Sequence, residues 1–292
     1  MTSLPLISAT RRDRTTASEP PHARAHAVAG RAIRAVFGYE VRDLVRNRWV
    51  LAYGAVVLLA TDLLLRLGGT GPRALLSMLN VVVALVPLVV VVFATVYWHG
   101  ARDFVELLLA QPVRRRDLFL GQLAGVVVPL AGAVTLGLVA PMVYQRALDA
   151  ETVPVLAAFV GAAVALTAVF AAIARVVSLA TDDRLVAVGL AFAAWLAATL
   201  GWDAALLLAM SWFADWPLDR PVLAATLLNP VDLARVMLVL RLDVAALMGY
   251  TGALFGKYLG PGRGTGLAVA GLGLWVLVPT LVAWRRFSRR DF

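Results

Sequence analysis

Three histidines, one lysine, six methionines and a few carboxylates inside apolar runs are the residues of this 292-residue chain that could hold a metal, grip a phosphate or carry a proton. His22 and His26 lie near the start, and His99 follows an apolar run. With no cysteine in the chain, a copper or zinc site would need His or Met side chains to converge. Met78, Met142 and Met210 are isolated in sequence and read as packing residues. Lys257, the only lysine, sits in Phe255-Gly-Lys-Tyr-Leu-Gly260, which lacks the glycine spacing and the Ser or Thr of a phosphate-binding loop. Neither H-E-x-x-H nor G-x-S-x-G occurs, so metalloprotease and serine-hydrolase chemistry have no carrier. Asp62 stands four residues before Arg66, the spacing of a helical ion pair. Asp203 either faces a cavity or lies in a water-exposed outer half. Asn80, Thr135 and Thr167 suit hydrogen bonds between helices. The chain carries no catalytic constellation, and its polar residues read as parts of a membrane machine.

The elements around them agree. Apolar residues make up 61% of the chain and charged ones 15%, against about 25% in a soluble domain. Six apolar runs are long enough to cross a bilayer: Trp49–Leu67, Leu75–Trp98, Leu118–Tyr144, Val153–Ala174, Leu185–Phe213 and Thr265–Trp284. Pro129 is the expected kink in the third. The fold class is therefore an all-α membrane protein with six transmembrane helices. The net charge of +9 does not signal nucleic acid, because the arginines cluster at the ends of the apolar runs. Nineteen of the 27 basic residues fall in 1–48, 99–117, 175–184 and 285–292, which places both termini in the cytoplasm. The Ala, Arg, Val and Leu bias is that of a high-GC bacterium, so the expected location is a bacterial cytoplasmic (inner) membrane. Residues 1–30 are polar, without an apolar secretion-signal run, and read as a disordered cytoplasmic tail ahead of a membrane domain at 31–292.

Three joints of the membrane domain have internal pattern. At 31–48, Val36, Phe37, Val41, Leu44 and Val45 recur at helical spacing beside a basic rim of Arg42, Arg46 and Arg48. That fits an N-terminal amphipathic helix in the headgroup plane, or a plain extension of the first span. At 99–117, Phe104, Leu107 and Leu108 form a helical stripe, followed by Gln111-Pro112 and the triple arginine Arg114, Arg115 and Arg116. A short amphipathic helix hung between two spans on the cytoplasmic side is built to be pushed upon. At 214–264, the apolar pieces Val222–Leu228, Val231–Leu240 and Val244–Phe255 are too short to span and are separated by Asn229-Pro230 and bounded by Pro261-Gly262. They read as outer-face re-entrant helices that cap the bundle or dock a partner. Gly121, Gly125, Gly132, Gly137 and Gly161 permit close helix contacts.

The stretch from Glu106 through Pro112 and Arg116 to Gly121-Gln122 resembles the joint between the second and third spans of ABC-2 type permeases. Arg42-Asp43-Leu44 with Arg46-Asn47-Arg48-Trp49 is similar to the family's amphipathic helix and its turn into the first span. Leu227-Leu228-Asn229-Pro230-Val231-Asp232 with Arg235 resembles an element of NosY-type permeases, the branch associated with maturation of copper enzymes, nitrous oxide reductase in particular. Trp284-Arg285-Arg286-Phe287 fits the family's ending. His99-Gly-Ala-Arg-Asp103-Phe104 departs from the acidic, glycine-rich run that such permeases tend to have there.

The resemblance implies an ABC-2 (type V exporter-like) permease fold that dimerises and rests on two cytoplasmic ABC ATPase subunits. ATP and Mg would sit on those subunits, with no cofactor, metal or catalytic residue on this chain. Phe104, Val105, Glu106, Leu107, Leu108 and Gln111 would form the coupling helix, with Glu106 as a polar contact. Arg42, Arg46, Arg48, Arg114, Arg115 and Arg116 would hold the membrane surface, and Asn229, Pro230, Asp232 and Arg235 the outer loop. Three readings of the function remain: copper or sulfur delivery for metalloenzyme maturation, export of drugs, lipids or peptides, and a docking subunit. In the last, the outer loop grips an extracytoplasmic protein and the subunit passes ATPase motion to it without conducting a solute.

Overall fold

Apolar runs of this length leave the backbone one way to satisfy its own N–H and C=O groups in a bilayer, and every described element is a helix. The computed structural model describes residues 37–68, 77–110, 113–213, 219–242 and 250–290. The expected tail at 1–30, Gln111 and Pro112 lie outside the described residues. In chain order, α1 covers 37–45, α2 Arg48–Gly68, α3 Ser77–Gly100, α4 Arg102–Leu109 and α5 Arg115–Tyr144. They are followed by α6 Thr152–Ser178, α7 Arg184–Trp212, α8 Asp219–Leu227, α9 Pro230–Leu242 and α10 Tyr250–Arg289.

Six of these helices are long and apolar enough to cross a membrane, and they match the six expected runs within a few residues at most ends. α6 is the hub. Its apolar window is 56% buried, and it packs against α3, α5, α9 and α10, whereas α7 is 17% buried and shows most of its apolar surface to the outside. α2 lies along α5, where a Cβ on Gly137 would come within 2.8 Å of Val57. Gly125 serves α1 in the same way: a Cβ there would meet the Glu40 Cβ at 2.3 Å. Gly132 and Gly161, also read as packing glycines, face open space.

Two features differ from the sequence reading, the course of α10 and the depth of the hairpin tip. α10 runs through Pro261, where a break is expected, just as α5 is helical on both sides of Pro129 and Pro141. A proline removes one N–H, whereas leaving the helix in apolar surroundings would strand several backbone groups. The last span is thereby continuous with 250–255, the end of the third short apolar piece, while 243–249 lie outside the described residues. α8 and α9 meet at 107° around Asn229, a bent pair of the re-entrant kind expected of this loop, with its tip inside the bundle rather than on the outer face. Its tip reaches mid-bundle, as its partners there make clear.

Candidate functional site

α4 is amphipathic over two turns, and the structure uses its faces differently. Val105 is buried in a cluster with Leu118 and Phe119 of α5 and Ala283 and Phe287 of α10, with Leu108 packed against it. Phe104 stacks on Tyr39 of α1 at 5.2 Å. Asp103, Glu106 and Leu107 face outward, Leu107 at 61% exposure. Of the six residues assigned to coupling, Val105, Leu108 and Phe104 are therefore clamps that hold the helix, and Glu106 and Leu107 form its free face. Gln111 lies outside the described residues.

Behind α4 lies a set of charges that the sequence did not single out. Arg102 donates to the Asp182 carboxylate at 2.8 Å and to the carbonyls of Ser178 and Thr181 at 2.8 and 2.6 Å, at the C-terminal end of α6. Arg290, past the end of α10, also donates to Asp182 and to the Leu179 carbonyl. The Arg290 hydrogen bond, then Arg102, holds the Asp182 carboxyl below the usual carboxylate range. Deeper in, Arg175 is 4% exposed, donates to Gln122 Oε1 at 2.9 Å and lies over the rings of Trp98 at 5.1 Å and Phe287 at 5.2 Å. Glu40 of α1, 1% exposed, accepts a hydrogen bond from the Tyr97 hydroxyl. Burial pushes its carboxyl above the ordinary glutamate value, with Tyr97 offsetting part of the rise. Buried charges persist only when paired, so this network ties α1, α3, α4, α5, α6 and α10 into one block. In sequence, Arg175 looks like a flanking basic residue. Only its neighbours make it a core residue.

The assigned surface arginines are all exposed at the end that carries both described chain ends. Arg48 lies 5.9 Å over Trp49, Arg42 and Arg46 rim α1, and Arg114 and Arg116 flank Arg115. Arg115 also donates to the carbonyls of Ser288 and Arg290 and so fastens α5 to the end of α10.

The second cluster is the hairpin tip. Asn229, 2% exposed, donates from Nδ2 to the Ala198 carbonyl at 2.7 Å, and its Oδ1 accepts from Val231 N–H at 2.9 Å. Pro230 opens α9, where its missing N–H leaves nothing unsatisfied. Arg235 contacts both oxygens of Asp203 and the buried Asp232, each at 3.1 Å. Asp203 thus pairs with a residue 32 positions away while staying partly exposed, at 38%, in the outer half of α7. Ala198 is fourteen residues from either end of α7, about 21 Å along the axis, so the tip sits near mid-depth.

Wide π turns interrupt α3 at Val81–Leu85 and α7 at Ala197–Gly201. Such turns loosen the regular backbone ladder. In each, a side chain from another element reaches a carbonyl: Trp195 Nε1 donates to Ala84 at 3.0 Å, and Asn229 to Ala198. Trp275 Nε1 continues the series to the Leu227 carbonyl at 3.2 Å. α3, α7, the hairpin and α10 are linked in that order by directional bonds. Replacing Asn229 by alanine should leave the half-buried Ala198 carbonyl without its donor and cost about 1–3 kcal/mol. Thermal melting in detergent, followed by tryptophan fluorescence, checks it; an unchanged melting point would remove Asn229 from the scaffold.

Asp62 has a local role: it pairs with Arg66 at 2.9 Å and binds the Tyr144 hydroxyl and Gln145 at the far end of α5. Met78 and Met142 are buried in the core. Among the described residues, no three His, Asp or Glu side chains converge as a metal site would require.

Comparison with known proteins places this geometry in context. The family described as ABC-2 family transporter protein matches residues 100–292, about two-thirds of the chain and all of it from α4 onward. The chain is also similar to a probable ABC transporter permease protein NosY of Pseudomonas aeruginosa. The two are 27% identical over 226 residues, which cover 72% of this chain and 82% of the relative.

Proposed function

This chain belongs to the ABC-2 family of transporter proteins, and we propose that, as its permease subunit, it is driven by a separate cytoplasmic ABC ATPase that presses on α4. The observation that carries the reading is the division of that helix. Val105 is locked into the α5–α10 cluster while Glu106 and Leu107 stay outside, so a load on the outer face moves α3, α5 and α10 together. Only Ala101 separates α3 from α4. Motion of α3 then reaches the hairpin through Trp195 and Asn229. Both termini lie in the cytoplasm in this arrangement, in a bacterial cytoplasmic membrane. Two copies of the chain rest on two ATPase subunits, which carry the ATP and Mg. α7, the most exposed span, offers its apolar flank and the partly exposed Asp203–Arg235 pair to the second copy. An ion pair is costly against lipid, which favours a protein-covered or watered face there.

The cargo we propose is a copper- or sulfur-related species for metalloenzyme maturation, supported by the Asn229-Pro230-Val231-Asp232 element and the similarity to NosY. The docking reading has less support, because ten residues of α9 are buried within the chain and a partner would have to be gripped elsewhere on the loop.

Co-expression with a cognate ABC ATPase tests the coupling. Leu107→Asp and Glu106→Lys should weaken ATPase association about tenfold or more, as loss of an interface hot spot does. Stimulated hydrolysis should fall to the level of the ATPase alone, while insertion and melting stay at the parent values. Undiminished stimulation in both variants would count against α4 as the contact.

A further inference from the structure

We propose that a groove between α6, α9 and α10 is a binding site for one anionic phospholipid, with an acyl chain along its floor and the headgroup phosphate on Arg241. The groove has a volume of about 630 Å³. Ala157, Gly161 and Ala165 form one wall, Val269 and Gly273 the facing wall, and Arg241 lines it from α9. Its glycines do not serve helix packing: a Cβ built on Gly161 or Gly273 would meet nothing within 4 Å. That separates them from Gly271, one of α10's other glycines, whose Cβ would come within 2.8 Å of Leu233. The small residues therefore keep a space open.

The dimensions and polarity select the occupant. From Pro154 to Ala165 the α6 wall is about 17 Å long, close to half of a ~30 Å hydrocarbon core. The groove is one leaflet deep. Its walls are apolar, so water gains little there, and an empty apolar gap forfeits dispersion contacts on every side. An acyl chain is the apolar material a bilayer supplies. α9 leaves the mid-depth tip at Asn229, packs Leu233 on Gly271, and then carries Met237 and the exposed Arg241 past Leu272 and Thr265 toward the outer end of α10. A guanidinium at the headgroup end of a leaflet-deep groove is complementary to a phosphodiester, which it binds through paired N–H donors. The site is independent of the ATPase contact at α4.

Native mass spectrometry of the full-length protein, extracted from vesicles of phosphatidylglycerol and phosphatidylcholine in equal amounts, tests the assignment. One phosphatidylglycerol per chain should survive mild delipidation. Gly161→Leu and, from the opposite wall, Gly273→Leu should each remove it while the melting profile persists; two variants guard against one failing to fold. Arg241→Gln should keep a bound lipid but lose a headgroup preference of about fivefold, the worth of one arginine at a membrane surface. Three results would overturn the proposal: unchanged retention in both leucine variants, unchanged headgroup preference in Arg241→Gln, or loss of the dimer in the leucine variants with lipid retention unaltered. The last would make the groove an interface between copies.

Discussion

Arg175→Ala is expected to lower the stability of the detergent-solubilised protein by about 3–5 kcal/mol, the cost of breaking a buried charge arrangement from one side. The substitution removes the donor to Gln122 Oε1 and the cation held by Trp98 and Phe287. It also leaves the Glu40 carboxylate, 1% exposed, with no positive charge close behind it. The sign of its pH dependence follows from Glu40. Burial already raises the folded-state value of that carboxyl above the unfolded one, so proton uptake favours the folded state. That contribution is complete below the unfolded value, about 4.3, and is lost as pH rises through the folded one. Stability missing from Arg175→Ala at neutral pH should therefore return in part on acidification, and should also return in part in the double variant with Glu40→Gln. Unfolding curves of the four proteins form a double-mutant cycle that isolates the coupling. A single variant within 1 kcal/mol of the parent, or strictly additive losses, would show that Arg175 and Glu40 do not share a network.

The second large effect belongs to Gly125. A Cβ at this position would sit 2.3 Å from the Cβ of Glu40 and 3.0 Å from its Cγ, and the nearer atom is the root of the side chain, which cannot swing aside. Gly125→Leu should therefore lift α1 off α5, with a loss of about 1–3 kcal/mol or more from overpacking. The position of α1 can be read directly, because the chain has no native cysteine. A single cysteine at Leu44, fully buried in the parent, should resist maleimide there and react in the Gly125→Leu background. Gly132→Leu, seven residues along the same helix and facing open space, is the internal control and should leave Leu44→Cys protected. Equal labelling in both backgrounds would mean that α1 is not seated by Gly125.

These two residues mark how differently the parts of the fold were written. Arg175 and Glu40 each look ordinary in sequence, one as a flanking arginine and the other as a polar residue on an amphipathic helix. Gly125 stands among other glycines of the same composition, of which Gly132 and Gly161 pack against nothing. At α4 the amphipathic stripe identified the segment. It did not distinguish the clamps Val105 and Phe104 from the free residues Glu106 and Leu107, because that depends on where α1 and α10 pass.

What the sequence determined by itself is everything that rests on local spacing and on the bilayer. The six spans, the short helix at 102–109 and the Asp62–Arg66 pair follow from contacts within a few residues, or from the transfer of an apolar run into lipid. Tertiary structure alone decided the pairs between elements: Arg235 with Asp203, Arg175 with Gln122, Tyr97 with Glu40, and the indole and amide donors at the π turns. It also decided that the hairpin at Asn229 enters the bundle and that α10 continues through Pro261. The physical reason is common to all of them. Hydropathy and helix periodicity depend on a residue and its near neighbours, whereas a hydrogen bond between helices depends on their relative rotation, depth and approach, which the packed ensemble of side chains fixes only as a whole.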